Sequence, residues 1–85
     1  MKIFYTNKFK REYKKLTNDI KDKSELREKI FRKNPFDKKL KTHKLSGELG
    51  DFWSYSVDLK YRIIFEFGKN EVIYFHSIGT YNIYK

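Results

Sequence analysis

The residues that could carry chemistry in this sequence suit phosphate chemistry better than metal chemistry. The chain contains two histidines, His43 and His76, and no cysteine. Metal-free RNA cleavage, in which the ribose 2′-hydroxyl attacks its own phosphodiester, needs a base, an acid and a cation. His43 and a tyrosine could transfer the protons, while Arg62 and Lys60 could stabilise the charge. On composition alone, plain binding of RNA or DNA is as well supported as cleavage of RNA.

The overall charge also points to a polyanionic partner. The 85 residues include 20 Lys and Arg against 11 Asp and Glu, for a formal net charge of +9 and an isoelectric point of about 9.7. Nucleic acid is the first partner to expect, followed by an acidic protein segment and then an anionic membrane surface. Eight Phe, seven Tyr and one Trp supply enough apolar surface for a core, so we expect a folded chain.

Several functional classes are disfavoured by what the sequence lacks. Without cysteine there is no disulfide framework and no thiolate site, and two distant histidines make a dedicated metal site improbable. We therefore expect neither a metal nor a small-molecule cofactor. No apolar run approaches the ~20 residues of a membrane span, and the N-terminus does not resemble a signal peptide. These features predict a cytoplasmic protein without membrane contact.

The elements that must position these side chains can be predicted from periodicity. A strand over Lys2–Tyr5 precedes an amphipathic helix that Asn7 could cap and that ends near residues 17–19. A second helix is predicted over Lys21–Lys33 and is stopped by the Asn34–Pro35 dipeptide. After residue 39 the pattern alternates, which predicts four strands: Leu40–Leu45, Phe52–Val57, Tyr61–Phe67 and Glu71–Ile78.

The predicted order β-α-α-β-β-β-β defines an α+β fold in one domain over residues 1–85, with two helices covering one face of the sheet. Short connections make the last three strands an antiparallel meander. Ser54, Ser56, Arg62 and Glu66 alternate with apolar neighbours, so one face is core and the other is polar. His76 alternates onto the polar face, where a structural role is the simpler interpretation.

Four segments of the sequence, taken in order, resemble the RelE/YoeB/YafQ superfamily of toxins from type II toxin–antitoxin pairs, and the YafQ-like members most closely. They are Lys41–Leu49, Phe52–Ser54, Tyr61–Phe65 and Ile78–Tyr84. The resemblance implies two N-terminal helices on a mainly antiparallel, curved sheet of about five strands with a concave basic face. It also implies a ribosome-dependent, metal-free endoribonuclease that cleaves mRNA in the A site and is neutralised by a cognate antitoxin.

The resemblance assigns catalytic roles to four residues. Arg62 corresponds to the phosphate-stabilising arginine, and His43 occupies the position of a catalytic His in YafQ-like toxins and a Glu in YoeB-like ones, as base or orienting group. Tyr84 resembles the C-terminal tyrosine of RelE-like members. Tyr81 stands where YafQ-like proteins usually have His, and a phenol is a poor base at its ordinary pKa of about 10. The candidate RNA-binding residues are Lys41, Lys44, Ser56, Lys60 and His76.

Two alternatives remain open at this stage. ParE-like relatives share the fold but inhibit DNA gyrase without cleaving RNA. The tyrosine at position 81 also leaves room for a catalytically weak relative that only binds RNA.

Overall fold

The computed structural model describes residues 1–84, and in this part of the chain two helices pack against a five-stranded sheet. The α+β class and the order of the elements are confirmed. The elements are β1 (Lys2–Tyr5), α1 (Asn7–Lys14), α2 (Asn18–Lys33), β2 (His43–Lys44), β3 (Trp53–Ser56), β4 (Arg62–Phe67) and β5 (Val72–Gly79). Short 3₁₀ turns lie at Lys38–Leu40, Gly47–Leu49 and Tyr81–Tyr84. None of the described helices combines the length and apolar character needed to cross a bilayer.

Both helices begin at threonine caps. The Oγ1 atom of Thr6 accepts a hydrogen bond from the amide of Phe9 at 3.1 Å, and the Oγ1 atom of Thr17 accepts one from the amide of Ile20 at 3.4 Å. The predicted cap at Asn7 is therefore wrong by one residue. The cap at Thr17 also explains why α1 ends at residue 14 and α2 begins three residues earlier than predicted.

The strand order is β1-β5-β4-β3-β2, so the first and last strands of the chain are neighbours. The β1–β5 pair is parallel, and the other three pairs are antiparallel. The core lies between the sheet and the helices, where Phe31 of α2 stacks on Tyr55 at 4.9 Å and meets Phe65 edge-on at 4.9 Å. We call this side of the sheet the helix face and the other side the open face.

The predicted strand over Leu40–Leu45 shrinks to two residues. The carboxylate of Asp37 accepts a hydrogen bond from the amide of Lys39 at 2.9 Å and starts a 3₁₀ turn in its place, with Leu40 buried in the core. Lys41 then adopts a left-handed conformation with φ 53°. A polar side chain that bonds the nearby backbone has overridden the alternating pattern here.

A β-bulge interrupts β5 at His76. Ile64 pairs with Ser77 and the next residue, Phe65, pairs with Phe75, which leaves His76 without a partner on β4. His76 and Ser77 therefore both belong to the open face, whereas strict alternation would turn Ser77 toward the core.

Candidate active site

Strand pairing gathers the predicted site residues on the open face of the sheet. One row across the strands contains His43, Ser54, Ile64 and Ser77, and the next contains Ser56, Arg62 and Gly79. Paired residues have Cβ atoms about 5 Å apart, and positions two residues apart on a strand are separated by about 7 Å. His43, Ser56 and Arg62 thus share one patch.

The C-terminal turn Tyr81–Tyr84 folds back over this patch. The hydroxyl groups of Tyr84 and Ser54 lie 2.7 Å apart, and Ser54 is fully buried although the helices do not cover it. The close approach requires glycine at position 79, because a Cβ atom there would lie 2.5 Å from Cγ2 of Ile83. The turn places Tyr81 beside Arg62 and places Tyr84 beside Ser54, which lies in the same row as His43.

Arg62 is held in a fixed orientation at the start of β4. Its Nη1 group donates to the carbonyl of Asp58 at 2.7 Å and to that of Tyr61 at 3.3 Å. The guanidinium carbon lies 5.5 Å from the centre of the Tyr81 ring, a cation–π distance. Within residues 1–84 no group accepts from Nε or Nη2, so these donors can reach a bound phosphate.

The turn that supplies these carbonyls is organised by the Asp58 carboxylate. Its Oδ1 atom accepts from the amides of Tyr61 at 2.7 Å and Lys60 at 2.9 Å. Burial alone would raise the pKa of Asp58, but these two amides and the charges of Lys23 and Arg62 together hold it below its ordinary value. The ionised carboxylate therefore stabilises the conformation of the turn at residues 58–61, whose carbonyls orient the Arg62 guanidinium.

We expect Asp58→Asn to lower the free energy of unfolding at pH 7 by about 1 kcal/mol, because the amide is a weaker acceptor than the carboxylate. A depressed pKa contributes stability above the unfolded value of about 4, and that contribution is lost as the pH falls through the folded pKa. The difference between the two proteins should therefore shrink below about pH 4 in urea unfolding.

Substitution of an exposed aspartate, Asp51→Asn, is the matched control and should change stability by less than about 0.5 kcal/mol. A difference between Asp58→Asn and the unsubstituted protein that stays constant down to the acid limit would contradict the role given to the carboxylate.

His43 lies exposed at the edge of the sheet, where its tautomer is set by the backbone. Its Nδ1 atom is 3.1 Å from the carbonyl oxygen of Lys41, which the left-handed conformation of that residue turns toward the ring. Because a carbonyl only accepts, the neutral ring carries its hydrogen on Nδ1 and its lone pair on Nε2. The Nε2 atom faces no fixed partner within residues 1–84 and can accept a proton.

The structure separates some of the predicted RNA-binding residues. Lys41 and Ser56 line a cleft of about 220 Å³ beside Arg62. Lys60 is exposed in the β3–β4 turn, and His76 lies farther along the open face, with Nε2 3.0 Å from a Glu66 oxygen. Lys44 pairs with Trp53 and so belongs to the helix face, away from the patch.

One basic residue of the cleft was missed from the sequence. Arg27 of α2 lines it, and its guanidinium donates to the carbonyl of Lys39. Helical periodicity marks Arg27 only as a solvated position, and its place beside Lys41 and Arg62 depends on how the residue 38–40 turn packs against α2.

Two N-terminal helices on a mixed sheet, with an arginine, a histidine and C-terminal tyrosines on the open face, define a RelE-like toxin fold. The chain belongs to the YafQ toxin family: the model of the "bacterial toxin of type II toxin-antitoxin system, YafQ" matches residues 1–83. The resemblance noted from the sequence is thereby confirmed.

Solved structures of similar proteins agree with the fold. YafQ from E. coli BL21(DE3) superimposes with a TM-score of 0.79 at 17% identity, over 96% of this chain and 94% of that one. A YoeB/ParE toxin from Agrobacterium tumefaciens gives 0.80 at 16%, over 95% and 99%. RelE in the RelE–RelB complex of Pyrococcus horikoshii gives 0.75 at 18%, over 93% and 92%. No curated protein matches the chain.

Proposed function

We propose that this protein is the toxin of a toxin–antitoxin pair and acts as a metal-independent endoribonuclease on mRNA at the ribosome. The observation that carries the proposal is the fixed guanidinium of Arg62, which is held by two backbone carbonyls beside the Tyr81 ring. Its Nε and Nη2 donors are unpaired within residues 1–84, and His43 and Tyr84 lie on the same face of the sheet. A preoriented cation of this kind stabilises the charge of a pentacoordinate phosphate most effectively, since it needs no reorganisation during the reaction.

His43 is the general base in the proposed mechanism. Its Nε2 atom accepts the proton of the ribose 2′-hydroxyl while the hydrogen bond from Nδ1 to Lys41 holds the ring. The 2′-oxygen then forms a bond to phosphorus as the bond from phosphorus to the 5′-oxygen breaks. This exchange leaves a 2′,3′-cyclic phosphate on one fragment.

Tyr84 is the proposed acid for the leaving oxygen. Its hydroxyl proton passes to the departing 5′-oxygen to give a 5′-hydroxyl, and the Ser54 hydroxyl at 2.7 Å can donate a hydrogen bond to the phenolate left behind. Solvent afterwards returns a proton to Tyr84 and takes up the proton held by His43. Tyr81 is 65% exposed, and its proposed role is to orient Arg62, whose guanidinium lies over the Tyr81 ring. A tyrosine suits this stacking role because a guanidinium is attracted to the face of a phenol ring.

The proposed partners are mRNA on the ribosome and a cognate antitoxin. RelE of P. horikoshii was solved with RelB, and E. coli YafQ with DinJ at 19% identity and a TM-score of 0.67 over 95% of this chain and 93% of that one. A net charge of +9 favours a partner with an acidic segment that folds as it binds. The likeness in fold and the charge together support this assignment.

The experiment that tests the proposed activity is the mapping of transcript 5′ ends after brief induction of the protein. We expect new ends inside translated codons, in frame, carrying 5′-hydroxyl groups. Growth arrest without such ends, accompanied by gyrase–DNA adducts, would favour the ParE-like alternative. Neither arrest nor new ends would favour a relative that binds RNA without cleaving it.

A further inference from the structure

Four rings form a continuous series across the open face, on the side away from Arg62. Phe4 stacks on Tyr74 at 5.8 Å and 22°, Tyr74 lies 6.4 Å from His76, and His76 meets Phe52 edge-on at 4.9 Å. We call Phe4, Tyr74, His76 and Phe52 the aromatic track. It crosses β1 and β5 and ends at the loop before β3.

The first two rings of the track are partly exposed to solvent. Phe4 and Tyr74 are directly paired across β1 and β5, and they are 43% and 39% exposed. The Tyr74 ring lies against the backbone of Gly68, where a Cβ atom would come within 2.8 Å of its Cε2 atom. Contiguous exposed apolar surface marks interaction sites, whereas single exposed apolar residues are ordinary, so this adjacent pair is a candidate binding surface.

The charges along the track suit a phosphate chain. Lys2 places its ammonium 5.3 Å from the centre of the Phe4 ring at one end. At the other end Lys8 lines a cleft of about 340 Å³ together with Phe52 and His76. Among the described residues, Glu66 places a carboxylate beside the series, with an oxygen 3.0 Å from Nε2 of the His76 ring.

The track lies on the same face of the sheet as the candidate active site, and the C-terminal turn stands between them. The cleft of the track is lined by Ile83 of that turn and by Ile64 and Ser77, which belong to the same row across the sheet as Ser54 and His43. A strand of RNA whose phosphate lies at Arg62 can therefore reach the rings by passing over the turn.

We propose that the aromatic track binds the bases of single-stranded RNA on one side of the scissile phosphate. The inference extends the proposed nuclease activity, since it names a second contact with the same substrate. Unpaired bases stack on aromatic side chains whatever their sequence, and lysines follow the phosphates between them. Single-stranded RNA is favoured over a protein partner because a lysine lies at each end of the series of flat rings and the open face also carries the proposed phosphate site.

The test is to measure binding of a short 2′-O-methyl oligoribonucleotide, which cannot be cleaved, and of the same chain lacking its bases. Phe4→Leu and Tyr74→Leu keep apolar bulk in the strands but remove the flat ring. Each should weaken binding of the base-bearing oligonucleotide about tenfold and leave binding of the abasic chain unchanged. Phe36→Leu, an exposed ring outside the track, is the matched control and should change neither.

Equal affinities of the Leu variants and the unsubstituted protein for the base-bearing chain would overturn the proposal, as would equal losses for both chains. Failure of the track is distinguishable from failure of the nuclease. If the protein cuts transcripts but the ring substitutions leave binding intact, only the track is wrong. If the ring substitutions abolish base-dependent binding and no transcript is cut, the track stands and the cleavage activity is wrong.

Discussion

Arg62→Ala is expected to lower RNA cleavage by a factor of about 10² to 10³, the usual effect of removing one group that stabilises an oxyanion in the transition state. The guanidinium is half-buried and held by the carbonyls of Asp58 and Tyr61, an orientation that Arg27 and Lys41 of the same cleft do not share. Growth arrest on induction should disappear, and in-frame 5′ ends should fall to background.

Two variants make this prediction specific. Arg11→Ala removes the same charge from an exposed position on α1 and should leave cleavage nearly unchanged. Arg62→Lys keeps the charge but loses the planar donors, and should recover only part of the activity. Full toxicity of a folded Arg62→Ala protein would rule out the proposed mechanism.

Tyr84→Phe is expected to have two separate effects. It removes the proposed acid, which should slow cleavage by about 10²-fold. It also leaves the fully buried hydroxyl of Ser54 without its partner, which should lower the free energy of unfolding by about 1 to 3 kcal/mol. Cleavage of mRNA on translating ribosomes and urea unfolding measure the two effects independently.

The double variant Ser54→Ala with Tyr84→Phe distinguishes an acid from a structural tyrosine. Removing both hydroxyl groups eliminates the unpartnered buried group, so most of the lost stability should return. Cleavage should stay low if Tyr84 donates the proton. Recovery of cleavage together with stability would instead assign Tyr84 a purely structural role, and Tyr81 would become the candidate acid.

Much of the fold could be predicted from local patterns. The alternation in β4 and the helical spacing before Pro35 report which side of each element is buried, because burial of apolar surface dominates folding. The family resemblance was predicted from motifs that keep their order, and the match of the YafQ toxin family model to residues 1–83 confirmed it. The roles of His43, Arg62, Tyr81 and Tyr84 remain predictions.

The features that escaped prediction depend on polar contacts or on distant parts of the chain. The carboxylate of Asp37 replaced part of a strand by a turn, and Thr17 moved a helix start. The bulge at His76 turns Ser77 onto the open face, where strict alternation gives the wrong side. The C-terminal turn can fold back onto the sheet only because Gly79 has no side chain, and hydrophobic periodicity does not indicate this close approach.

The pairing of β1 with β5 joins the first strand of the chain to the last, and the proposed site is completed only by the turn at residues 81–84. Most long-range contacts must therefore wait until nearly the whole sequence has been synthesised. A chain synthesised only as far as residue 79 contains Arg62 and His43 but lacks Tyr81 and Tyr84. The topology thus makes the candidate site one of the last parts of residues 1–84 that can assemble.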